Sequence, residues 1–175
     1  MKRSEAEKAA SATIRAAVEA DLEAITSIYR HHVLTGTASF ELDPPDAVEM
    51  KRRFAEIKAK KLPYLIALAD GQIAGYAYAG PYRPRPAYRF TVENSIYVHP
   101  EMHRRGIGDA LLKQLIIECR MRDCKQIIAV IGDSANAGSI SLHKKHGFAH
   151  VGVLKDVGFK FGRWLDTVFM QLALD

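Results

Sequence analysis

Arg104-Arg-Gly-Ile-Gly follows a short apolar run, Ile96-Tyr-Val-His-Pro, and opens an amphipathic stretch carrying Ile107, Leu111, Leu112, Leu115 and Ile116. Two glycines at a helix start, Gly106 and Gly108, let a bulky anion approach bare backbone N–H groups of the turn that runs through Ile107 and Asp109, where the helix dipole also favours negative charge. Cationic side chains run against that dipole, so Arg104 and Arg105 at the same end point to an anionic ligand. Spacing excludes two nucleotide loops. A dinucleotide G-x-G-x-x-G needs a third glycine where Leu111 stands, and a P-loop needs a Gly-Lys-Ser/Thr ending that is absent. On spacing alone the loop is equally an anion site or an ordinary turn. Upstream, Glu93 lies among the apolar residues Phe90, Val92, Ile96 and Val98. Partial burial there raises a carboxyl pKa towards a value useful for accepting a proton; the same spacing equally describes an outward-facing strand glutamate.

The elements that must hold these residues follow from periodicity. Thr13 to Val18 reads as a strand, and Asp21 stands where a helix N-cap belongs, ahead of Leu22, Ile25, Ile28 and Tyr29 at helical spacing. Gly36 ends that helix. Asp43-Pro44-Pro45-Asp46 launches a second one with Val48, Phe54 and Ile57 as its apolar positions. Residues 64–69 and 73–78 around Asp70-Gly71 form the clearest hairpin. Gly80-Pro-Tyr-Arg-Pro-Arg-Pro is a stiff loop whose prolines cannot join a ladder. A strand over 90–98, a helix over 107–121, a strand over 126–131, a helix over 135–146 closed by Gly147, and strands over 148–154 and 164–174 complete the chain. This is one mixed α/β domain over residues 12–175, with a polar N-terminal extension over 1–11.

The chain has 175 residues, 48% of them hydrophobic and 26% charged, which excludes wholesale disorder and fibrous classes. Two cysteines, Cys119 and Cys124, make no disulfide framework, and a reducing compartment suits them. No apolar stretch approaches the ~18–20 residues that span a bilayer, and the N-terminus turns acidic where a signal peptide needs an apolar core; a soluble, cytoplasmic protein is expected. The net charge of +5 is scattered along the chain and lacks an aromatic-basic stacking motif, which argues against a nucleic-acid partner. His143, His146 and His150 are interrupted by Gly147 and lack a completing ligand, so no metal is expected.

His99-Pro-Glu-Met-His-Arg-Arg-Gly-Ile-Gly-Asp-Ala-Leu-Leu resembles the central motif of the GNAT acyltransferases, and Asn136-Ala-Gly-Ser-Ile-Ser-Leu-His-Lys-Lys-His-Gly-Phe resembles their second signature. Thr91-Val-Glu-Asn-Ser-Ile-Tyr-Val and the tail Gly158-Phe-Lys-Phe-Gly-Arg-Trp-Leu-Asp-Thr-Val-Phe-Met-Gln-Leu are similar to the phosphinothricin and methionine sulfoximine N-acetyltransferase branch. The resemblance runs from about residue 13 to 174. It implies a GNAT fold, a mixed central sheet of about seven strands flanked by about four helices, and a homodimer. It implies acetyl-CoA as co-substrate, held at Ile96, Tyr97 and Val98, at the loop from Arg104 to Asp109, and by Asn136, which otherwise reads as a helix cap. His103 departs from the family pattern, which prefers Gln or Arg three residues before the first glycine.

Acetyl transfer to an amine needs a base for the amine proton, and the resemblance gives that part to Glu93. It sets His143 where many relatives carry a Tyr that assists the departing thiolate; a helix-surface histidine is the plainer reading. It places acceptor contacts at Glu93, Asn94 and Ser95 and in the loop of Arg83, Pro84 and Arg85, whose guanidiniums suit a carboxylate or phosphinate bidentately. Phe40-Glu41 falls where a lid over the acceptor belongs. Cys119 and Cys124 lie late in a helix, away from the glycine loop, which favours direct attack over an acyl-enzyme. The arginine-bearing loop suits a small anionic amino-acid-like acceptor such as phosphinothricin or methionine sulfoximine, with a protein amine or an aminoglycoside as the alternative.

Overall fold

A computed structural model of the chain describes residues 12–174, and the extension over 1–11 lies outside them. Seven strands form one sheet in the order β1-β2-β3-β4-β5-β7-β6. In chain order the elements are β1 (Thr13–Ala16), α1 (Leu22–Thr35), α2 (Ala47–Ala59), β2 (Tyr64–Ala69), β3 (Gln72–Pro81), β4 (Thr91–Val98), α3 (Ile107–Arg120), β5 (Gln126–Gly132), α4 (Ala137–Lys145), β6 (Ala149–Lys160) and β7 (Arg163–Ala173). All neighbours are antiparallel except β4 and β5, which run parallel and are joined through α3. Among the described residues no helix is long and apolar enough to cross a membrane.

Each face of the sheet carries its own core. On one face α3 buries Ile107, Leu111, Leu112 and Leu115 against alanines of β2 and β3 and against Val92, Ile127 and Ala129. Full burial of a side chain of that size contributes about 1.5–3 kcal/mol. On the other face α1 and α2 cover Ile66, Tyr64 and Tyr76 with Ile25, Ile28, Tyr29, Val33, Met50, Phe54 and Ile57. Small residues on β3 let α3 approach closely. A Cβ at Gly75 would lie 2.8 Å from the Tyr97 carbonyl and 3.1 and 3.2 Å from Ile107 and Leu111 methyls.

Four expectations need correction. Asp21 stands at the N-cap position of α1 as expected, but its side chain makes no capping bond; its carboxylate accepts from Val18 N–H at 2.8 Å and from the Arg15 guanidinium at 2.7 and 2.9 Å, closing the 3-10 turn before the helix. In α2 the inward position is Met50, while Val48 is 78% exposed, because Asp46 caps the helix through Glu49 N–H and so fixes its rotation. Pro81 does end a ladder, opposite Val92, with the following Tyr82 N–H supplying the bond to Thr91. β6 continues six residues past Leu154, through a bulge at Lys155-Asp156-Val157 where the register shifts between Leu154 and Gly158. The Asp166 carboxylate of β7 accepts from Ser134 Oγ, Lys155 Nζ and Asp156 N–H, which holds its pKa down at about 2.

Gly75→Ala is expected to cost about 1–3 kcal/mol through overpacking, read as a lower urea midpoint; an unchanged midpoint would show that α3 can move off β3.

Candidate active site

The site is made by a fork in the sheet. β4 and β5 pair from Thr91/Gln126 to Asn94/Ala129 and then part, leaving Ser95–Val98 paired only with β3. Backbone direction alternates along β4. Thr91 O accepts from Tyr82 N–H and His99 N–H reaches Ala74 O on the β3 side, whereas Phe90 O accepts from Lys125 N–H on the β5 side. Alternation therefore turns the backbone groups of Ile96 and Val98 into the fork. A cavity of about 520 Å³ fills it, lined by Asn94–Val98, the end of β5, Gly108 and the first turns of α4.

The glycine turn stands at the mouth. Gly106 has φ +75° and caps α3 from the left-handed region, with nothing within 4 Å of an added Cβ, so the turn is open to a ligand. Arg104 is also left-handed, at φ 62°. The neighbouring side chains have partners elsewhere. Arg105 pairs with Asp70 of the β2–β3 turn at 2.7 Å, Ile107 is core, and Asp109 ties α3 to α4 through Lys145 at 2.6 Å and His146 at 2.9 Å. The hydrogen bond from Lys145 is the main cause holding the Asp109 carboxyl below its ordinary pKa. The loop thus offers an anion its backbone, with Arg104 as a guanidinium that has no hydrogen bond or ion pair among the described residues. Asn136 caps α4, accepting from Ser139 N–H at 3.2 Å, and lines the cavity as well.

Side-chain alternation on β4 separates the three residues expected to meet one acceptor. Glu93 lies opposite Gly80 and Ser95 opposite Tyr78, on the α1–α2 face; Asn94 lies opposite Ala79, on the α3 face. Glu93 is half-buried with no ion pair or hydrogen bond from a side chain among the described residues, and burial raises its pKa. Facing α3, Asn94 Nδ2 lies 2.9 Å from His143 Nε2. His143 is 4% exposed, not a surface residue of α4, and burial lowers its pKa. Arg83, Pro84 and Arg85 are exposed on the β3–β4 loop, which leaves the sheet beside Glu93, and Arg83 stacks over Tyr82.

The loop after α1 closes the other side. Glu41 accepts from Tyr29 Oη at 2.7 Å and from Arg53 at 2.5 Å, so it anchors the loop. Phe40 lies against Gly132 and Gly158, where added Cβ atoms would come within 2.9 and 2.4 Å of its ring. Sequence reasoning missed His32, whose Nε2–H donates to Val98 O at 2.8 Å on the cavity wall. Its signal was a histidine three residues after Tyr29 on the buried stripe of α1.

The Acetyltransferase (GNAT) domain profile matches residues 14–169, and the chain belongs to this family of acetyltransferases. Within it the chain falls in the phosphinothricin and methionine sulfoximine branch. It is 54% identical over 163 residues to the phosphinothricin N-acetyltransferase of Alcaligenes faecalis, covering 93% of this chain and 83% of that one. It is 43% identical to the L-methionine sulfoximine/L-methionine sulfone acetyltransferase of Salmonella typhimurium, covering 93% and 95%. The crystal structure of a phosphinothricin acetyltransferase from Sinorhizobium meliloti in complex with AcCoA superposes with a TM-score of 0.91 at 50% identity, covering 94% of this chain and 89% of that one.

The open turn at Gly106 gives a test of the site. Gly106→Ala is expected to weaken coenzyme A binding by at least fivefold in calorimetry, because the left-handed turn costs a non-glycine residue about 1 kcal/mol or more. Equal affinity would remove the turn from the binding site.

Proposed function

We propose that the chain transfers acetyl from acetyl-CoA to the α-amine of a small, anionic, amino-acid-like acceptor such as phosphinothricin or methionine sulfoximine. The observation that carries the reading is the fork: backbone hydrogen-bonding groups with no strand to pair them face a cavity that ends at an open glycine turn. Those features fit the coenzyme's pantetheine arm and pyrophosphate. Acetyl-CoA brings the activated acyl group and carries away the thiol. The Ile96 and Val98 edge orients the arm, with Ile96 N–H aimed where a thioester carbonyl would be polarised. Gly106, Gly108 and Arg104 hold the phosphates.

Glu93 is the base in this reading. An α-amine is mostly protonated at neutral pH, and a half-buried carboxylate without a cation partner is matched to remove that proton. Arg83 and Arg85, on the loop that leaves the sheet beside Glu93, grip the acceptor's carboxylate or phosphinate, while Ser95 and Phe40 line its berth. The names of the relatives support this acceptor class. Free, buried Cys119 and Cys124 suit a reducing cytoplasm. A homodimer is part of the proposal: Phe159, Phe161 and Trp164 are 56, 56 and 62% exposed on the β6–β7 hairpin, an apolar patch that a second copy would cover.

Thiol release from acetyl-CoA over phosphinothricin, methionine sulfoximine, free L-amino acids, a peptide and an aminoglycoside tests the acceptor. Saturable turnover on one of the first two is expected, and turnover only on the last two would overturn it. Glu93→Gln is expected to lower kcat by about 10²-fold or more with coenzyme affinity unchanged. Since the active form is the carboxylate and burial raises its pKa, the wild-type rate falls with decreasing pH through a value above that of an ordinary glutamate, and that limb disappears in the variant. Trp164→Glu is expected to shift sedimentation towards the monomer; a wild-type monomer would dismiss the dimer.

A further inference from the structure

His143 is fixed from both sides. Its Nδ1 lies 2.8 Å from the Ser139 carbonyl, which only accepts, so Nδ1 carries a hydrogen in every charge state of the ring. Its Nε2 meets Asn94 Nδ2, which only donates, so Nε2 offers a lone pair and the ring is neutral. Turning the Asn94 amide over would set Oδ1 against Nε2 and require a second ring hydrogen, an imidazolium. The orientation of one amide and the charge of one ring are therefore a single variable.

The neutral arrangement leaves Asn94 Oδ1 unpartnered, a buried acceptor with no hydrogen bond among the described residues, on a side chain that is 7% exposed. Leaving a buried acceptor empty is unfavourable, because the water it gave up on folding is not replaced. Asn94 lines the cavity at its inner end, the last residue of β4 paired with β5 before the fork opens. Among the described residues no other group bonds Nε2. Phe148 packs edge-on at 4.9 Å, the Ser139 hydroxyl stands 3.4 Å from Nδ1, and His146 on the same helix is engaged by Asp109 of α3. From β4 only Asn94 faces His143, since Glu93 and Ser95 point to the opposite face.

We propose that Asn94 is a positioning residue of the coenzyme side: it holds His143 as the neutral Nδ1–H tautomer and keeps its own carbonyl open to a donor hydrogen at the reactive end of the coenzyme. The ligand half rests on the acetyltransferase reading; the hold on His143 does not. In the resting site His143 then has no hydrogen directed into the cleft. When Nε2 takes up a proton from water at low pH the amide turns over and presents Nδ2–H to the cleft instead, so the amide relays the charge of the ring to the sulfur end. An asparagine does this where an aspartate would lock the ring as a cation.

The test uses ¹⁵N-labelled protein and the long-range ¹H–¹⁵N spectrum of the His143 ring between about pH 6 and 8. The wild type is expected to show a protonated Nδ1 and a bare, hydrogen-bonded Nε2 throughout, and Asn94→Asp to show both nitrogens protonated at neutral pH. Asn94→Leu, similar in volume, covers a failure of the aspartate variant to fold: its Nε2 resonance moves to that of an unbonded nitrogen. A wild-type ring protonated on Nε2, or an Nε2 resonance unmoved in Asn94→Leu, would overturn the assignment whatever the enzyme's activity. Coenzyme A binding by calorimetry reads the open carbonyl. Asn94→Leu is expected to weaken it about three- to tenfold, and equal affinity would overturn that half. A wild type that binds no coenzyme A would refute the acetyltransferase reading and the ligand half, while the ring spectrum still decides the hold on His143.

Discussion

The site depends on one strand that loses one neighbour. β4 keeps β3 along its whole length but keeps β5 only as far as Asn94. Backbone polar groups in a protein interior must be paired, so a strand edge opened in the middle of a sheet is a demand for a ligand with amides of its own. The pleat then separates the two halves of the chemistry. Odd side chains, Glu93 and Ser95, face α1 and α2 with the arginine loop above them, and even ones, Asn94 and Ile96, face α3 and α4. A half-buried carboxylate and a buried polar pair thus arise from adjacent residues of one strand on opposite faces of the sheet.

The surroundings hold the fork open. His32 of α1 takes the Val98 carbonyl, and Gly75 lets α3 seat against β3 so that the glycine turn falls at the end of the cleft. The loop after α1 is fastened at several points. Glu41 binds Tyr29 and Arg53, and the buried Lys160 ammonium donates to the Ser39 carbonyl at 2.8 Å. Burial lowers the Lys160 pKa, with Glu41 opposing the shift. Phe40 is thereby laid across the ends of β5 and β6, where Gly132 and Gly158 make room for it. The long β6–β7 hairpin is both a wall of this corner and the carrier of the exposed aromatic patch.

Much of this was legible where neighbours in sequence settle it. Asp70-Gly71 predicts the hairpin, the turn ending at Asp46 predicts where α2 starts, and Asn136 predicts a cap, because each is a local backbone requirement. The period-two rule already sets the Glu93 and Asn94 side chains on opposite faces, a consequence that appears once the register with β3 is known. What was illegible depends on distant partners. Arg105 is drawn from the loop by Asp70, 35 residues away, and Asp109 by Lys145 and His146. β6 runs on past Leu154 because a carboxylate on the next strand satisfies Lys155 Nζ and the Asp156 N–H in the bulge. Phe159, Phe161 and Trp164 are exposed because the tip of the β6–β7 hairpin runs past the end of β5, whose pairing with β7 stops at Thr167, which composition cannot express.

Native-state hydrogen exchange at the β4 amides, with and without coenzyme A, tests the fork most directly. The account predicts that Ile96 and Val98 N–H exchange fast in the free protein and become protected when the coenzyme binds, while Ser95 and Tyr97, paired to β3, are protected in both states. Protection of Ile96 and Val98 in the free protein, or no change on binding, would contradict it.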